Sequence, residues 1–347
     1  MTKKVYVGMS GGVDSSVTAA LLRDQGYDVT GVYMKNWSRD LPGVICTWQT
    51  DYEDAKRVAV QLNIPFKLYD FETDYRQLIV NYLLNEYQAG RTPNPDIMCN
   101  QEMKFKLFLE AALKDGAALI ATGHYARLKN GELLTGLDKT KDQSYFLCRM
   151  PVSALAQTLM PLGELKKAQV RQLAVDRGLV TAHKPDSQGL CFVGEVGIKD
   201  FLRSELGEQS AGAIIDQSGR VIGQHDGAIY YTIGQRHGLN VGGGLAYYVV
   251  GKDLSKNEVY VTNDLADPRL WHKALSITDA TWFKRPPLSG LKVRLRYRAP
   301  LVKLTELSNV AGERWELKLA EEVRALTPGQ FAVIYSGDRV IGSGVIS

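Results

Sequence analysis

Lys3-Lys4-Val5-Tyr6-Val7-Gly8-Met9-Ser10-Gly11-Gly12-Val13-Asp14-Ser15-Ser16 is the stretch that decides the fold. Residues 3–9 are β-branched and aromatic, the run stops at Ser10-Gly11-Gly12, and residues 14–24 carry Val17, Ala20 and Leu21 at helical spacing. The order is strand, glycine turn, helix. Outward from it, an apolar run at 28–34 predicts a second strand, and DYEDAKRVAVQL at 51–62 predicts a helix with Asp51 as its N-cap. A strand over 65–71, helices over 75–86 and 104–114, and a strand over 117–122 follow. Such alternation predicts an α/β domain with a doubly wound parallel sheet. Ligands of such sheets lie beyond the carboxyl ends of the strands, where residues 10–15 and Gly123-His124 fall. Near residue 205 the pattern changes to short β-rich runs (AGAIID, AIYYTIG, LAYYVVG, EVYVTN) broken by Gly, Asn and Asp. The expected division is an α/β domain over 1–205, a small central β domain over 206–270, and a C-terminal β-barrel domain over 271–347. Strands of the last are expected at 292–298, 315–319, 330–335 and 339–346.

The composition is that of a globular chain: 347 residues, 45% hydrophobic, with 42 Lys+Arg against 38 Asp+Glu. A net charge of +4 is too small to mark the whole chain as a nucleic-acid binder, so basic surface must come from local clustering. The four cysteines, at 46, 99, 148 and 191, form no CxxC pair and are too few for a disulfide scaffold. No apolar run approaches membrane-spanning length, and the apolar run before residue 10 is too short for a secretory signal. The expectation is a cytoplasmic protein with reduced thiols and no membrane contact.

Gly8, Met9, Ser10, Gly11, Gly12, Val13, Asp14 and Ser15 place backbone N–H groups and two hydroxyls at the positive end of a helix, an anion cradle. No lysine follows the glycines as in GxxxxGK[ST], and the spacing is not GxGxxG. A glycine turn alone would need neither the hydroxyls nor the acid. The loop resembles the pyrophosphate-binding loop, SGGxDS, of the ATP pyrophosphatases, whose nucleotide-binding domain is HUP-like. That resemblance implies ATP cleaved between the α- and β-phosphates, Asp14 acting on Mg²⁺, and Met34 against the adenine. No Cys/His cluster suggests a metal site of the protein's own.

Adenylation makes an oxygen a leaving group, and sulfur is available to displace it. Cys99 closes the segment GRTPNPDIMC, ahead of a helix expected near Glu102, whose N-terminus would favour the thiolate. Asp96, three residues earlier, is placed for acid/base work. Cys191 lies in KPDSQGLCF, another loop-like stretch, whereas Cys148 sits in an apolar run and reads as packing. With SGGVDSS, GRTPNPDIMCN, ATGHYAR, KDQSYFL, DSQGLCF, YTIGQRHGL and RYRAP in this order, the chain resembles the tRNA-specific 2-thiouridylases nearly end to end. The resemblance implies Cys99 as nucleophile, Cys191 as persulfide carrier and Asp96 as acid/base. It also implies Gly123 at the nucleotide, Asn94, Pro95 and Asp96 at the target base, and His124, Lys141, Asp142, Gln143, Arg296, Tyr297 and Gln330 at the tRNA. The implied cofactors are ATP with Mg²⁺ and persulfide sulfur. The implied partners are tRNA and a cysteine desulfurase or sulfur-relay protein. A loop and sheet alone also suit a ligase that adenylates a small molecule, which accounts for neither the two loop cysteines nor a basic strand; a non-catalytic tRNA-binding adaptor with a relic nucleotide site is the second alternative.

Between Thr281 and Thr305 lie Lys284, Arg285, Lys292, Arg294, Arg296, Arg298 and Lys303, with no acid. In KVRLRYRAP every second residue is basic, which predicts a strand with one cationic and one apolar face. Charge in register without offsetting acids favours a phosphate backbone over mere edge protection, and Tyr297 offers a stacking surface for a splayed base.

Overall fold

In the computed structural model, residues 2–41, 45–186, 197–242, 244, 246–287 and 289–347 are described. They fall into two units. The first comprises Met1–Val80, Pro95–Val196 and Asp338–Val340; the second comprises Asn81–Asn94, Gly197–Gly337 and Ile341–Ser347.

The first unit is built on a parallel sheet. Its strands are β1 (Lys4–Gly8), β2 (Asp28–Lys35), β3 (Phe66–Asp70) and β4 (Leu119–Ala121), in the order β3-β2-β1-β4. A two-residue strand, Thr158–Leu159, adds to β4. The side chains of Val5, Tyr6 and Val7 are fully buried, as expected for a strand covered on both faces. Helix α1 (Val13–Asp24) packs Val13, Val17, Ala19, Ala20 and Leu22 into the same core, with Val58 and Leu62 closing it from the α2 side. Helix α2 (Trp48–Gln61) begins three residues before the expected Asp51, which sits in its first turn and accepts a hydrogen bond from Thr47 Oγ1 at 2.8 Å. From β1 the chain crosses to β2 on one side and later to β4 on the other. Such a reversal opens a crevice at the carboxyl ends of β1 and β4.

The second unit holds two β modules. Strands Gly212–Ile215, Val221–His225, Tyr248–Asp253 and Glu258–Thr262 form a four-stranded sheet. Six further strands, Trp271–Trp282, Leu291–Arg294, Val302–Ala311, Arg314–Arg324, Phe331–Ser336 and Arg339–Ile346, form an antiparallel barrel closed by pairing of the first with the last. Its core contains Ile277, Val293, Leu317, Leu319, Ala332 and Ile334. The basic strand is shorter than expected. It ends at Arg294, and residues 295–298 turn, with Arg298 at φ +62°. Burial still alternates through this segment, with Val293 and Leu295 inside and Lys292 exposed.

Candidate active site

The glycine loop leaves β1 at Gly8 and enters α1 at Val13. Gly11 has φ +73°, and a Cβ there would lie 2.2 Å from the carbonyl oxygen of Asp51, so the loop passes over the first turn of α2 with no room for a side chain. Ser15 is folded back into the loop: its Oγ accepts from Ser10 N at 3.2 Å, lies 3.4 Å from Ser10 Oγ and donates to Gly12 O at 3.1 Å. Ser16 Oγ donates to the same carbonyl at 2.7 Å and accepts from Thr181 Oγ1 at 2.9 Å. Gly123, just past β4, abuts this turn; a Cβ there would sit 2.9 Å from the backbone carbon of Asp14. Met34 lies over Gly8, its Cε 3.2 Å from where a Cβ would be, at the carboxyl edge of the sheet.

A charge network converges on the loop. Asp14 accepts from Tyr125 Oη at 2.8 Å and from Lys167 Nζ at 2.7 and 2.8 Å. Lys167 Nζ also lies 2.8 Å from Asp186, which pairs in addition with Lys141 at 2.8 Å and Arg171 at 2.6 Å. Lys184 joins Asp51 at 2.7 Å and Asp54 at 2.6 Å. Partial burial works to raise the Asp186 pKa, but the Lys141 and Lys167 hydrogen bonds overcome it and hold the carboxyl well below the usual carboxylate range. Burial, the Asp14 charge and the bond to Asp14 push the Tyr125 phenol upward, so it stays a donor to that carboxylate at neutral pH.

Of the residues assigned to tRNA by resemblance, three are wired into this network or its frame. Lys141 pairs with Asp186; Asp142 is buried and accepts from Gly136 N and from Ser144 N and Oγ; Gln143 Oε1 accepts from Tyr125 N at 2.9 Å. His124 is buried, with Nδ1 2.8 Å from Thr122 Oγ1 and its ring against Phe105. Burial, then the nearby Lys104 charge, lower its pKa well below the ordinary histidine value, so the ring is neutral at neutral pH.

Pro95–Met98 is one helical turn that continues into a π-helical run, Cys99–Leu107, and then into Phe108–Lys114. The helix therefore starts seven residues earlier than Glu102, because Pro95 serves as an initiator rather than a breaker. Cys99 lies inside the helical run, fully buried, and Asp96 stands three positions before it, a spacing that brings side chains to one helix face. The π-helical run, a geometry frequent at functional sites, opens on Cys99 itself. Cys148 is also buried. Cys191 lies outside the described residues, just beyond Asp186.

In the second unit, Gln330 Nε2 donates to the carbonyls of Thr92 at 2.8 Å and Pro93 at 3.1 Å, and Thr92 N donates to Pro328 O at 2.8 Å. The barrel thus fixes the backbone immediately before Asn94. Arg296 donates to the carbonyls of Ile233 and Ala325 and to Thr327 Oγ1. Tyr297 is half-buried beneath the Arg298 guanidinium, 5.2 Å from the ring centre.

Three family models cover the chain: the tRNA methyl transferase HUP domain over residues 3–195, the tRNA methyl transferase PRC-barrel domain over 199–263, and the aminomethyltransferase beta-barrel domain over 272–346. The tRNA-specific 2-thiouridylase MnmA of Bacillus subtilis (strain 168) is 46% identical over 352 residues, covering 99% of this chain and 94% of the relative. That of Listeria monocytogenes serotype 4a (strain HCC23) is 46% identical over 351 residues, with 99% and 94% covered. The chain belongs to the tRNA-specific 2-thiouridylase family. It is therefore an enzyme of the tRNA sulfurtransferase class. A 4-thiouridine synthetase–RNA complex with bound ATP matches at TM-score 0.38 and 18% identity, over 56% of this chain and 46% of that one, too low a likeness to carry an argument.

Several residues of the site are absent from the motif reading. Tyr125 lies within ATGHYAR and Asp186 within KPDSQGLCF, but only the fold shows which groups they pair with. Lys167 carries no local signal: it opens the helix Lys167–Asp176, some 150 residues from the carboxylate it reaches.

Proposed function

We propose that this enzyme thiolates the C2 position of the wobble uridine in the anticodon of certain tRNAs, consuming ATP with Mg²⁺. The observation that carries the reading is the unit-1 arrangement of a pyrophosphate-type loop, its acid Asp14 and a separate helix presenting Asp96 and buried Cys99. Backbone N–H groups of residues 10–15 receive the phosphates, Asp14 serves Mg²⁺, and Met34 and Gly123 border the nucleoside. Asn94, Pro95 and Asp96 hold the uracil, and Asp96 handles the proton at the base. The uracil C2 oxygen attacks the α-phosphorus, and pyrophosphate leaves.

The terminal sulfur of a persulfide on Cys191 then attacks C2, and AMP departs with the former C2 oxygen. Cys99 attacks the Cys191 sulfur, freeing 2-thiouridine and leaving a Cys99–Cys191 disulfide, which two electrons from a reductant reopen. A cysteine desulfurase or sulfur-relay protein restores the persulfide. In this reading residues 1–205 carry adenylation and thiolation, 206–270 form the central module, and the barrel of 271–347 takes RNA through Arg296, Tyr297 and Gln330, in the cytoplasm. No helix among the described residues is long and apolar enough to cross a membrane.

ATP–pyrophosphate exchange measured with and without tRNA tests the reading. Exchange that requires tRNA is expected. Exchange without tRNA would indicate a small-molecule ligase, and no exchange under any condition an adaptor.

A further inference from the structure

We propose that Lys167 is the cation that grips the pyrophosphate end of ATP, and that Asp14 and Asp186 hold it ready when no nucleotide is bound. The proposal rests on the ATP-dependent reading above and deepens it. The glycine loop has no lysine of its own, although a group that accumulates charge on a departing pyrophosphate needs a fixed positive partner. The fold delivers one from the start of a distant helix.

Lys167 is locked at both ends. Its backbone N donates to Asp138 Oδ2 at 3.0 Å, and its Nζ sits 2.7 and 2.8 Å from the two Asp14 oxygens and 2.8 Å from Asp186, over the Tyr125 ring at 5.6 Å. Only 13% of the side chain is exposed. Asp186 is shared among Lys141, Lys167 and Arg171, so it keeps two cationic partners when the Lys167 amine turns toward a phosphate beside the anion cradle. An ammonium has three donors; Lys167 directs two at Asp14 and the third at Asp186, and one of those on Asp14 would turn to a phosphate oxygen if that carboxylate also held Mg²⁺. The amine then stabilises the charge that grows on pyrophosphate as the α-phosphorus–oxygen bond breaks.

The test is the affinity of full-length Lys167→Met and wild-type protein for ATP, inorganic pyrophosphate and AMP, each with Mg²⁺, by calorimetry. Expected is a loss of roughly 10- to 100-fold for ATP and pyrophosphate, the size of one charged hydrogen bond, with AMP affinity unchanged. Equal losses for all three ligands would show a framework lysine and overturn the proposal, as would no loss at all. Should the variant not fold, acetylation footprinting of wild-type protein decides: pyrophosphate is expected to protect Lys167 but not the surface residue Lys114, and unaltered labelling of Lys167 would overturn the assignment. Wild-type protein that binds neither ATP nor pyrophosphate would instead contradict the nucleotide reading itself.

Discussion

Replacing Cys191 or Cys99 by serine is expected to lower tRNA thiolation by roughly a thousandfold or more while leaving tRNA-dependent pyrophosphate release in place. The two losses have different causes. Serine at 191 cannot carry a persulfide, so the activated uracil meets no sulfur. Serine at 99 leaves sulfur transferred to C2 but still tethered to Cys191, because an alcohol does not attack a disulfide-like bond as a thiolate does. Denaturing gels should therefore show tRNA covalently held to Cys99→Ser protein and released by a reductant, and none held to Cys191→Ser. Cys148, which is buried, is the control: Cys148→Ser costs stability but should thiolate within about twofold of wild type per folded molecule. Substantial thiolation by either the Cys99 or the Cys191 variant would remove that residue from the sulfur path.

Gly11→Ala should be the most damaging single-methyl change in the loop. The new Cβ would lie 2.2 Å from the Asp51 carbonyl oxygen, and the backbone at φ +73° is itself costly for alanine. Either the loop flattens or the first turn of α2 is pushed away, and the second outcome also strains the Lys184 pairs to Asp51 and Asp54. A loss of roughly 2–4 kcal/mol in unfolding free energy follows from strain and overpacking together, with ATP affinity falling below measurement. Gly12→Ala separates geometry from composition. Gly12 has φ −96°, and its nearest neighbour would be Ser10 Oγ at 3.5 Å, so native stability should be kept. Urea unfolding of the two variants checks this; equal stability would mean that the loop does not lie against Asp51.

The glycine loop and parallel sheet were legible because their signals are local: a buried β-branched run, a turn that needs glycine and an amphipathic helix all lie between Lys4 and Asp24. The six-stranded barrel was legible in part, from the apolar run at 331–335 and the β-branched residues within 339–346. Where local cues conflict, the reading failed. Residues 90–98 look like a loop because they hold two prolines and two glycine- or asparagine-type breakers, yet Pro95 starts a helix and carries Cys99 into it. KVRLRYRAP alternates past Arg294, but the chain turns there, so pattern outlasts pairing. The Thr158–Leu159 strand is too short to leave any periodicity. Lys167 was invisible for another reason: its role depends on a contact across 153 positions, which only the fold creates.

If the uracil C2 oxygen itself is adenylated, that oxygen leaves with AMP. A tRNA carrying ¹⁸O at C2 of the wobble uridine, incubated with the enzyme, ATP, Mg²⁺ and a persulfide source, should yield AMP containing that ¹⁸O, with none in pyrophosphate. Label appearing in water or inorganic phosphate, with unlabelled AMP, would contradict it.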